Sequence, residues 1–352
     1  MINFVQISDL HIGANIGNTS GSPIPGLTAH DISLCTALTQ FLDEDVRDIA
    51  GVNDEEDIPV IINGDITSSG RKVEFDVANT FLLSHHELRR SNQRLLVGLD
   101  CQEHLLHSVP GNHDHWQGRR YWPNQRGFSR EIYDEFRVAP PSVSPPICDN
   151  GVELRIFTVD SCSMFEETLL NISPLANGGF SKRHKQVLFR RLVQNTLKEP
   201  LAEGCSQRVA AIVCHHPFSR DGVAGPLRDE CIGWLVSTAA NLGIRIVLTG
   251  HTHYSWTTIV QKQTQEGFIR VREVRCPTTL QYPAKLDEKH RKPGLWLHQI
   301  YADKDANGKD EIVWRGTLVL YCCGSFYVPT RTADSQRPER SVWFEERMPS
   351  CF

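Results

Sequence analysis

The chain has 352 residues, of which 40% are hydrophobic and 22% are charged. This composition is typical of a folded protein with a sizeable buried core, arranged as one large α/β domain or two smaller ones. Its 37 basic and 42 acidic side chains give a formal net charge of -5, so nucleic-acid binding would need a local basic groove. No apolar run approaches the roughly 20 residues of a membrane helix, which excludes an integral membrane protein.

Short apolar runs rich in β-branched residues predict a series of buried strands, and the amphipathic segments between them predict helices. The predicted strands are residues 2–8, 58–63, 105–109, 152–159, 209–214 and 244–249. The predicted helices are residues 30–50, 72–90 and 181–198. In the first of these helices, Leu34, Leu38 and Leu42 recur at a spacing of four and define one apolar face. This alternation of strands and helices indicates an α/β architecture.

The pattern changes after residue 254, where strands and turns replace the helical segments. Residues 254–329 are predicted to form mainly antiparallel strands that complete the same domain, so that residues 1–329 form a single unit. Residues 330–352 are rich in Arg, Glu, Ser and Pro and are expected to form an extended tail. Three long loops, at 14–28, 115–128 and 161–180, are expected to be functional, because long loops in compact domains usually are.

Polar side chains follow five of the predicted strands at the points where the strands end. They are Asp9 and His11, then Asp65, then Asn112 and His113, then His215 and His216, and finally His251 and His253. Because a ligand crevice forms at the carboxyl ends of the strands of an α/β sheet, we expect these residues to converge there. Their oxygen and imidazole donors are the ligands that borderline divalent metals prefer, so the pattern predicts a metal site.

The same residues carry a family resemblance. The series Asp9-Leu10-His11, Gly64-Asp65, Gly111-Asn112-His113-Asp114, His215 and Gly250-His251-Thr252-His253 resembles the signature of the calcineurin-like metallophosphoesterases, with every element present and in order. The resemblance spans residues 9–253. It implies a four-layer αββα sandwich, in which helices cover two facing mixed β-sheets and a dinuclear metal centre lies at the C-terminal edge of the strands.

The resemblance also implies which residues bind the two metal ions. One ion would be held by Asp9, His11, Asp65 and His253, and the other by Asp65, Asn112, His215 and His251. The carboxylate of Asp65 would bridge the two ions. His215 is preferred to His216, because family members with a His-x-Pro turn at this point use the histidine two residues before the proline. The expected cofactors are two divalent ions, with Mn, Fe, Zn and Ni all suitable.

A hydrolytic mechanism follows from the resemblance. A metal-bound hydroxide would attack the phosphorus atom, and the two ions would neutralise the phosphate oxygens. His113, next to the ligand Asn112, would donate a proton to the leaving group or steady the transition state. Asp114 is assigned to the same catalytic group, as a residue that orients an imidazole or another ligand, and a turn-capping role for it is left open.

Substrate contacts are assigned to the loop that follows Asp114 and to His216. Aromatic faces can stack on a base or another flat group, and arginine can clamp a phosphate with two hydrogen bonds. The assigned residues are His115, Trp116, Arg119, Arg120 and His216. An alternative for Trp116 is that it anchors the long loop to the core.

The motifs point to one branch of the family more than to the others. Protein Ser/Thr phosphatases of the family show Gly-Asp-x-x-Asp-Arg-Gly, whereas this chain reads Gly-Asp-Ile-Thr-Ser-Ser-Gly at residues 64–70. The His-His-Pro turn and Gly-His-Thr-His are more similar to the small-molecule branch, which includes class III cyclic-nucleotide phosphodiesterases. The sequence therefore predicts a dinuclear-metal-dependent phosphodiesterase whose partner is a small-molecule or nucleotide phosphodiester.

The alternatives are a DNA or RNA nuclease or a phosphomonoesterase of the same family, and more remotely a scaffold without activity. A nuclease needs a basic track, and the best candidate, around Lys182, Arg183, Arg190 and Arg191, is interpreted as the solvated face of a helix. A scaffold predicts lost metal ligands, and none is missing. Eleven cysteines without a Cys-x-x-Cys pair, and an N-terminus without a signal-peptide pattern, predict a cytoplasmic location.

Overall fold

Sixteen strands and five α-helices are present in the computed structural model, which describes residues 1–13, 32–52, 57–90, 93–116, 133, 135–138, 140–166, 178–218, 225–264, 267–281, 292–329 and 343–348. The strands are β1 (Ile2–Ile7), β2 (Val60–Ile62), β3 (His86–Arg90), β4 (Gln93–Val97), β5 (Leu106–Ser108), β6 (Ser142–Val143), β7 (Ile147–Asp149), β8 (Val152–Thr158), β9 (Gln207–Val213), β10 (Ile246–Thr249), β11 (Trp256–Thr264), β12 (Gly267–Arg275), β13 (Gly294–Lys304), β14 (Asp310–Cys322), β15 (Ser325–Tyr327) and β16 (Trp343–Met348). The helices are α1 (Ile32–Gln40), α2 (Val46–Ala50), α3 (Lys72–Leu83), α4 (Arg190–Lys198) and α5 (Asp229–Asn241). Two π-helical segments, Phe41–Asp45 and His184–Phe189, precede α2 and α4.

Two seven-stranded mixed sheets form the centre of the fold. The first has the order β15-β14-β13-β1-β2-β5, with β16 also paired to β14, and its β1, β2 and β5 run parallel. The second has the order β11-β12-β10-β9-β8-β6, with β7 also paired to β8, and its β12, β10, β9 and β8 run parallel. The hairpin β3-β4 stands apart from both sheets.

Three apolar clusters separate four layers. The first sheet packs against α1 and α3 through residues such as Val5 and Leu38. The two sheets face each other across a second cluster that contains Phe4 and Trp314. The second sheet packs against α4 and α5 through a third cluster, which contains Leu235 and other apolar side chains. Successive strand residues point to opposite faces, so Phe4 and Val5 belong to different clusters. The predicted αββα sandwich with two mixed sheets is confirmed.

Two element predictions need correction. The helix predicted over 72–90 ends at Leu83, and His86–Arg90 is instead the first strand of the β3-β4 hairpin. The helix α5 at 229–241 was not among the predicted helices. Within the predicted tail, residues 343–348 form β16 and extend the first sheet. None of the helices that the structure describes is long and apolar enough to cross a membrane.

A polar link between the sheets fixes the strand ends that carry the predicted metal ligands. The Gln6 side-chain amide donates to Asn63 Oδ1 at 2.8 Å and to the Thr249 carbonyl at 3.1 Å. The Asn63 amide in turn donates to the carbonyls of Cys214 and Leu248. Gln6 and Asn63 lie at the ends of β1 and β2 in the first sheet, and the carbonyls that they bond lie at the ends of β9 and β10 in the second. These hydrogen bonds therefore hold the ends of four strands in a fixed register.

Candidate metal centre

Left-handed backbone is concentrated at the predicted ligands. The φ angles are 52° at Asp9, 47° at His11, 48° at Asp65, 74° at His251 and 61° at His253. Residues other than glycine seldom adopt such angles, which cost about 1–3 kcal/mol each and cluster at functional sites. The strand ends therefore turn sharply at a conformational cost, and this brings their side chains to one place.

Close backbone approach requires glycine beside Asp65. A Cβ on Gly64 would come within 2.7 Å of both Gly111 N and His215 Nδ1, and a Cβ on Gly111 would collide with the Asp65 carboxylate. The loops after β2 and β5 and the imidazole of His215 can therefore meet only because these two residues carry no side chain.

Asp9, His11 and His253 form the first half of the centre. Asp9 is fully buried, and its Oδ2 accepts hydrogen bonds from Ser8 Oγ at 2.5 Å and from the His251 backbone N–H at 3.0 Å. Its Oδ1 lies 3.3 Å from His253 Nε2, and His11 Nε2 lies 3.2 Å from the same nitrogen. Burial lowers the pKa of His11 well below its usual value, so this imidazole is neutral and can offer a lone pair.

Asn112, His215 and His251 form the second half. His215 Nδ1 donates to the Asn63 carbonyl at 2.6 Å, which leaves Nε2 facing the centre. This Nε2 lies 3.2 Å from Asn112 Oδ1 and 3.1 Å from His251 Nδ1. Burial lowers the pKa of His251 to about 3. Three donor atoms from three separate strand ends thus face one small volume.

Asp65 lies between the two halves. Its Oδ2 is 3.4 Å from His215 Nε2 in the second half and 3.9 Å from His11 Nε2 in the first, while its Oδ1 accepts the His113 backbone N–H at 2.9 Å. Burial acts to raise the pKa of Asp65, but the facing His215 and His113 outweigh it and hold that pKa well below the usual range. A carboxylate that stays ionised between two sets of imidazoles is suited to bridging two cations.

The donor set fits divalent metal ions. Asp9 Oδ1 is buried and makes no hydrogen bond within the described part of the chain, which leaves an anionic oxygen directed into the centre. Buried carboxylates are otherwise paired or bind metal. The groups Asp9-His11-His253 and Asp9-Asp65-His215 each bring their donor atoms within 4.8 Å of one another. Nitrogen and carboxylate donors in this arrangement are typical of Zn, Mn, Fe and Ni.

His113 stands at the open side of the centre. Its Nδ1 donates to the Ser68 carbonyl at 2.9 Å, and its Nε2 lies 3.8 Å from Asp65 Oδ2. The side chain is 27% exposed, in contrast to the buried Asp65, so part of the imidazole is accessible to a bound molecule. This orientation leaves Nε2 free to act on a substrate rather than to hold the loop.

The remaining predicted site residues that the structure describes are all buried. Asp114 is buried and faces the backbone of the β2 and β5 loops, where its carboxylate accepts the N–H groups of Thr67 and Gly111. His115 and Trp116 are 3% and 5% exposed, and His216 is fully buried with a ring nitrogen within 4.8 Å of those of His215 and His251; the contact of all three residues with substrate stays a prediction. Arg119 and Arg120, the loop 14–28, and most of the loops 115–128 and 161–180 lie outside the described residues.

Two neighbours of the centre were missed by sequence reasoning. Asp160 Oδ1 lies 3.6 Å from His115 Nε2, and Ser161 Oγ lies 2.8 Å from His216 Nδ1. Both follow directly after β8, as the predicted ligands follow their own strands. The polar pair at the end of the predicted strand 152–159 could therefore have indicated that these two residues lie near the centre.

Comparison with known proteins agrees with this geometry. The family model described as calcineurin-like phosphoesterase matches residues 2–255, which cover all seven predicted ligands, and the chain belongs to this family. A solved structure described as GAP50, the anchor in the inner membrane complex of Plasmodium, has a TM-score of 0.51 and 10% sequence identity. The match covers 99% of this chain and 89% of that chain, and at this identity it concerns the fold alone. No curated protein matches the sequence.

Proposed function

We propose that the protein is a metal-dependent phosphodiesterase that acts on a small-molecule or nucleotide phosphodiester. The family supports a hydrolase of phosphoesters, and the observation that carries the proposal is the convergence of the other six predicted ligand side chains around Asp65. The diester preference is supported by the His-His-Pro and Gly-His-Thr-His motifs at residues 215–217 and 250–253. A cytoplasmic location belongs to the same proposal.

The chain's own residues prepare the site for this reaction. Divalent ions, when bound by the two halves, would acidify water and offset charge on the phosphate oxygens. Ser8 holds one oxygen of Asp9 so that the other faces the centre, and the Asn63 carbonyl holds His215 in the matching tautomer. His113 keeps Nε2 toward the substrate side, where it can pass a proton to the departing oxygen.

Reconstitution with metal tests the proposal. Protein stripped with a chelator and reloaded with Mn²⁺ should bind two ions per chain and hydrolyse bis(p-nitrophenyl) phosphate faster than p-nitrophenyl phosphate. Asp65→Asn should reduce hydrolysis to background, because an amide cannot bridge two cations as a carboxylate does. Asp76→Asn, an exposed position on α3, is the matched control and should behave as the unaltered protein. Absence of activity after reloading with Mn²⁺, Zn²⁺, Fe²⁺ and Ni²⁺ in turn would overturn the proposal.

The substrate class needs its own experiment. Cyclic nucleotides, glycerophosphodiesters and single-stranded DNA should be compared at equal concentration with the Mn²⁺-loaded protein. We expect one of the two small-molecule classes to be turned over fastest. Preferential cleavage of DNA would replace the phosphodiesterase proposal with the nuclease alternative, and a preference for monoesters would replace it with a phosphomonoesterase.

A further inference from the structure

The imidazole of His113 is enclosed by two other rings. The indole of Trp116 lies with its centroid 3.7 Å from that of His113 at an interplanar angle of 34°, and His11 meets His113 edge-on at 4.6 Å. The Ser68 carbonyl accepts the His113 Nδ1 hydrogen. Rotation of the His113 ring is therefore opposed by two ring contacts and by one hydrogen bond.

Trp116 is itself held in place by its burial and by the backbone turn that carries it. It is 5% exposed, and its backbone N–H donates to the His113 carbonyl at 3.2 Å, which closes a single 3₁₀ turn over His113–His115. In the turn that precedes it, the Asp114 carboxylate accepts the Thr67 N–H of the loop after β2, and His115 Nε2 lies 3.6 Å from Asp160 Oδ1. The indole is thus a rigid surface, because the turn that carries it is fixed at several points.

We propose that Trp116 is a positioning residue that holds the His113 imidazole in the orientation for proton transfer to the leaving oxygen. The inference rests on the proposed function. In that step an oxygen from water bonds to phosphorus as the bond between phosphorus and the leaving oxygen breaks. His113, protonated on both ring nitrogens, gives its Nε2 proton to the leaving oxygen, and the neutral imidazole that remains keeps its Nδ1 hydrogen bond to the Ser68 carbonyl. Trp116 undergoes no chemical change in this step.

A merely structural tryptophan would give a different result from a positioning one. Loss of core packing lowers stability and slows all substrates alike. Loss of the His113 orientation slows mainly those substrates whose leaving group needs a proton, because general acid catalysis is needed less for an acidic leaving group. The dependence of rate on the leaving group therefore separates the two roles.

The experiment compares two symmetrical diaryl phosphates whose phenols differ in acidity. With the Mn²⁺-loaded protein, Trp116→Leu should lower kcat on diphenyl phosphate about 10- to 100-fold more than on bis(p-nitrophenyl) phosphate, a part of the roughly 10²- to 10⁴-fold that general acid catalysis provides. Trp116→Phe keeps an aromatic face and should restore most of the loss. In the His113→Ala background, Trp116→Leu should add no further leaving-group effect, because residues that act through one another are not additive.

A readout without activity completes the test. Nitrogen-15 NMR of the metal-free protein, at a pH where the imidazole is neutral, should show His113 as a single Nδ1–H tautomer in the unaltered protein and in Trp116→Phe, and a mixture of tautomers in Trp116→Leu. Phe189→Leu, at a buried aromatic residue of the third apolar cluster whose ring contacts Trp234, is the control for lost packing and should change neither readout's pattern. Equal losses on both diesters, or an unchanged tautomer in Trp116→Leu, would overturn the inference. If the loaded protein cleaves neither diester, the proposed function fails while the tautomer still decides the role of Trp116.

Discussion

The Asp114 carboxylate lies between the loops that carry Asp65 and Asn112. It accepts the backbone N–H groups of Ile66 at 3.1 Å, Thr67 at 2.8 Å and Gly111 at 2.9 Å. Burial and the nearby negative charge of Asp65 raise its pKa to about 6, even though these hydrogen bonds favour the ionised form. One side chain thus joins two loops that come from different strands, and it does so behind the pocket.

We expect Asp114 to act on stability and metal binding rather than on substrate. Asp114→Ala leaves three buried N–H groups without their acceptor, at about 1–3 kcal/mol each, so the free energy of unfolding of the metal-free protein should fall by at least about 3 kcal/mol. Asp114→Asn keeps one acceptor oxygen, so its free energy of unfolding should lie between those of the unaltered protein and Asp114→Ala. Urea unfolding measures the first effect, and metal stoichiometry after dialysis measures the loosening of the ligand loops. Unchanged stability in Asp114→Ala would show that the carboxylate does not join the loops.

The sequence predicts the ligands better than their neighbours. Asp9, Asp65 and His251 could be placed because each follows an apolar strand whose end must lie at the crevice. The burial of Trp116 and His216 could not be predicted, because a turn of three or four residues has no periodicity to show which side faces the core. Spacing reveals which strand ends meet, and only packing reveals which side chains face a substrate.

At the scale of elements, helix α4 ends against an arginine from the second sheet. Arg208, on β9 and 2% exposed, donates through its terminal nitrogens to the carbonyls of Thr196, Leu197, Glu199 and Pro200. Its Nε donates to Glu153 Oε1 at 2.9 Å on the neighbouring strand β8. The last carbonyls of a helix have no partner within the helix, so one guanidinium satisfies the end of α4 and neutralises a buried carboxylate.

Removal of this guanidinium should loosen α4 from the second sheet. Arg208→Met leaves Arg155 as the one cation beside buried Glu153 among the described residues and removes the guanidinium donor from four carbonyls, so we expect a loss of about 3–5 kcal/mol in the free energy of unfolding. Arg208→Lys keeps the charge without the planar fork and should lose part of that amount. Thermal and urea unfolding give the values, and Arg245→Met, in the turn before β10, is the control. The double variant Glu153→Leu with Arg208→Met should recover stability relative to Arg208→Met, and no recovery would contradict this interpretation.

Element boundaries show the same limit of sequence patterns. The strands at 2–8 and 152–159 were placed within one or two residues of β1 and β8, because buried parallel strands form short continuous apolar runs. The helix at 72–90 was drawn too long, since the polar segment His85–Arg90 contains nothing that rules out another helical turn. The segment is a strand because it pairs with Gln93–Val97, and local sequence cannot reveal that pairing.

For the whole molecule, a buried histidine connects the sheet core to the network beneath the metal centre. His298, on β13, accepts the Trp314 indole N–H at its Nδ1 and donates from Nε2 to Gln6 Oε1 at 2.9 Å. Gln6 continues the link to Asn63, whose carbonyl orients His215. The ring also stacks on Phe4 at 4.7 Å. The position of one metal ligand therefore depends on a neutral imidazole in the middle of the sandwich.

This histidine should make the stability of the protein depend on pH. Burial lowers the pKa of His298 to about 3, whereas an unfolded histidine has a value near 6.5. Between these values His298 is protonated in the unfolded chain but neutral in the folded protein. The contribution of neutral His298 to stability is therefore complete above pH 6.5 and is lost progressively as pH falls toward 3. The loss is about 1.4 kcal/mol per pH unit, or about 2 kcal/mol between pH 7 and pH 5.

Comparison with His298→Gln isolates the pH dependence that comes from His298, because glutamine can still accept from Trp314 and donate to Gln6 but does not titrate. In urea unfolding with a chelator present, the unaltered protein should lose about 2 kcal/mol more than His298→Gln between pH 7 and pH 5. Trp314→Phe, which lowers stability but keeps His298 buried, should retain most of the pH dependence of the unaltered protein. A constant difference between the unaltered protein and His298→Gln across this range would mean that the imidazole is protonated in the fold. The neutral link from the sheet core to His215 would then be wrong.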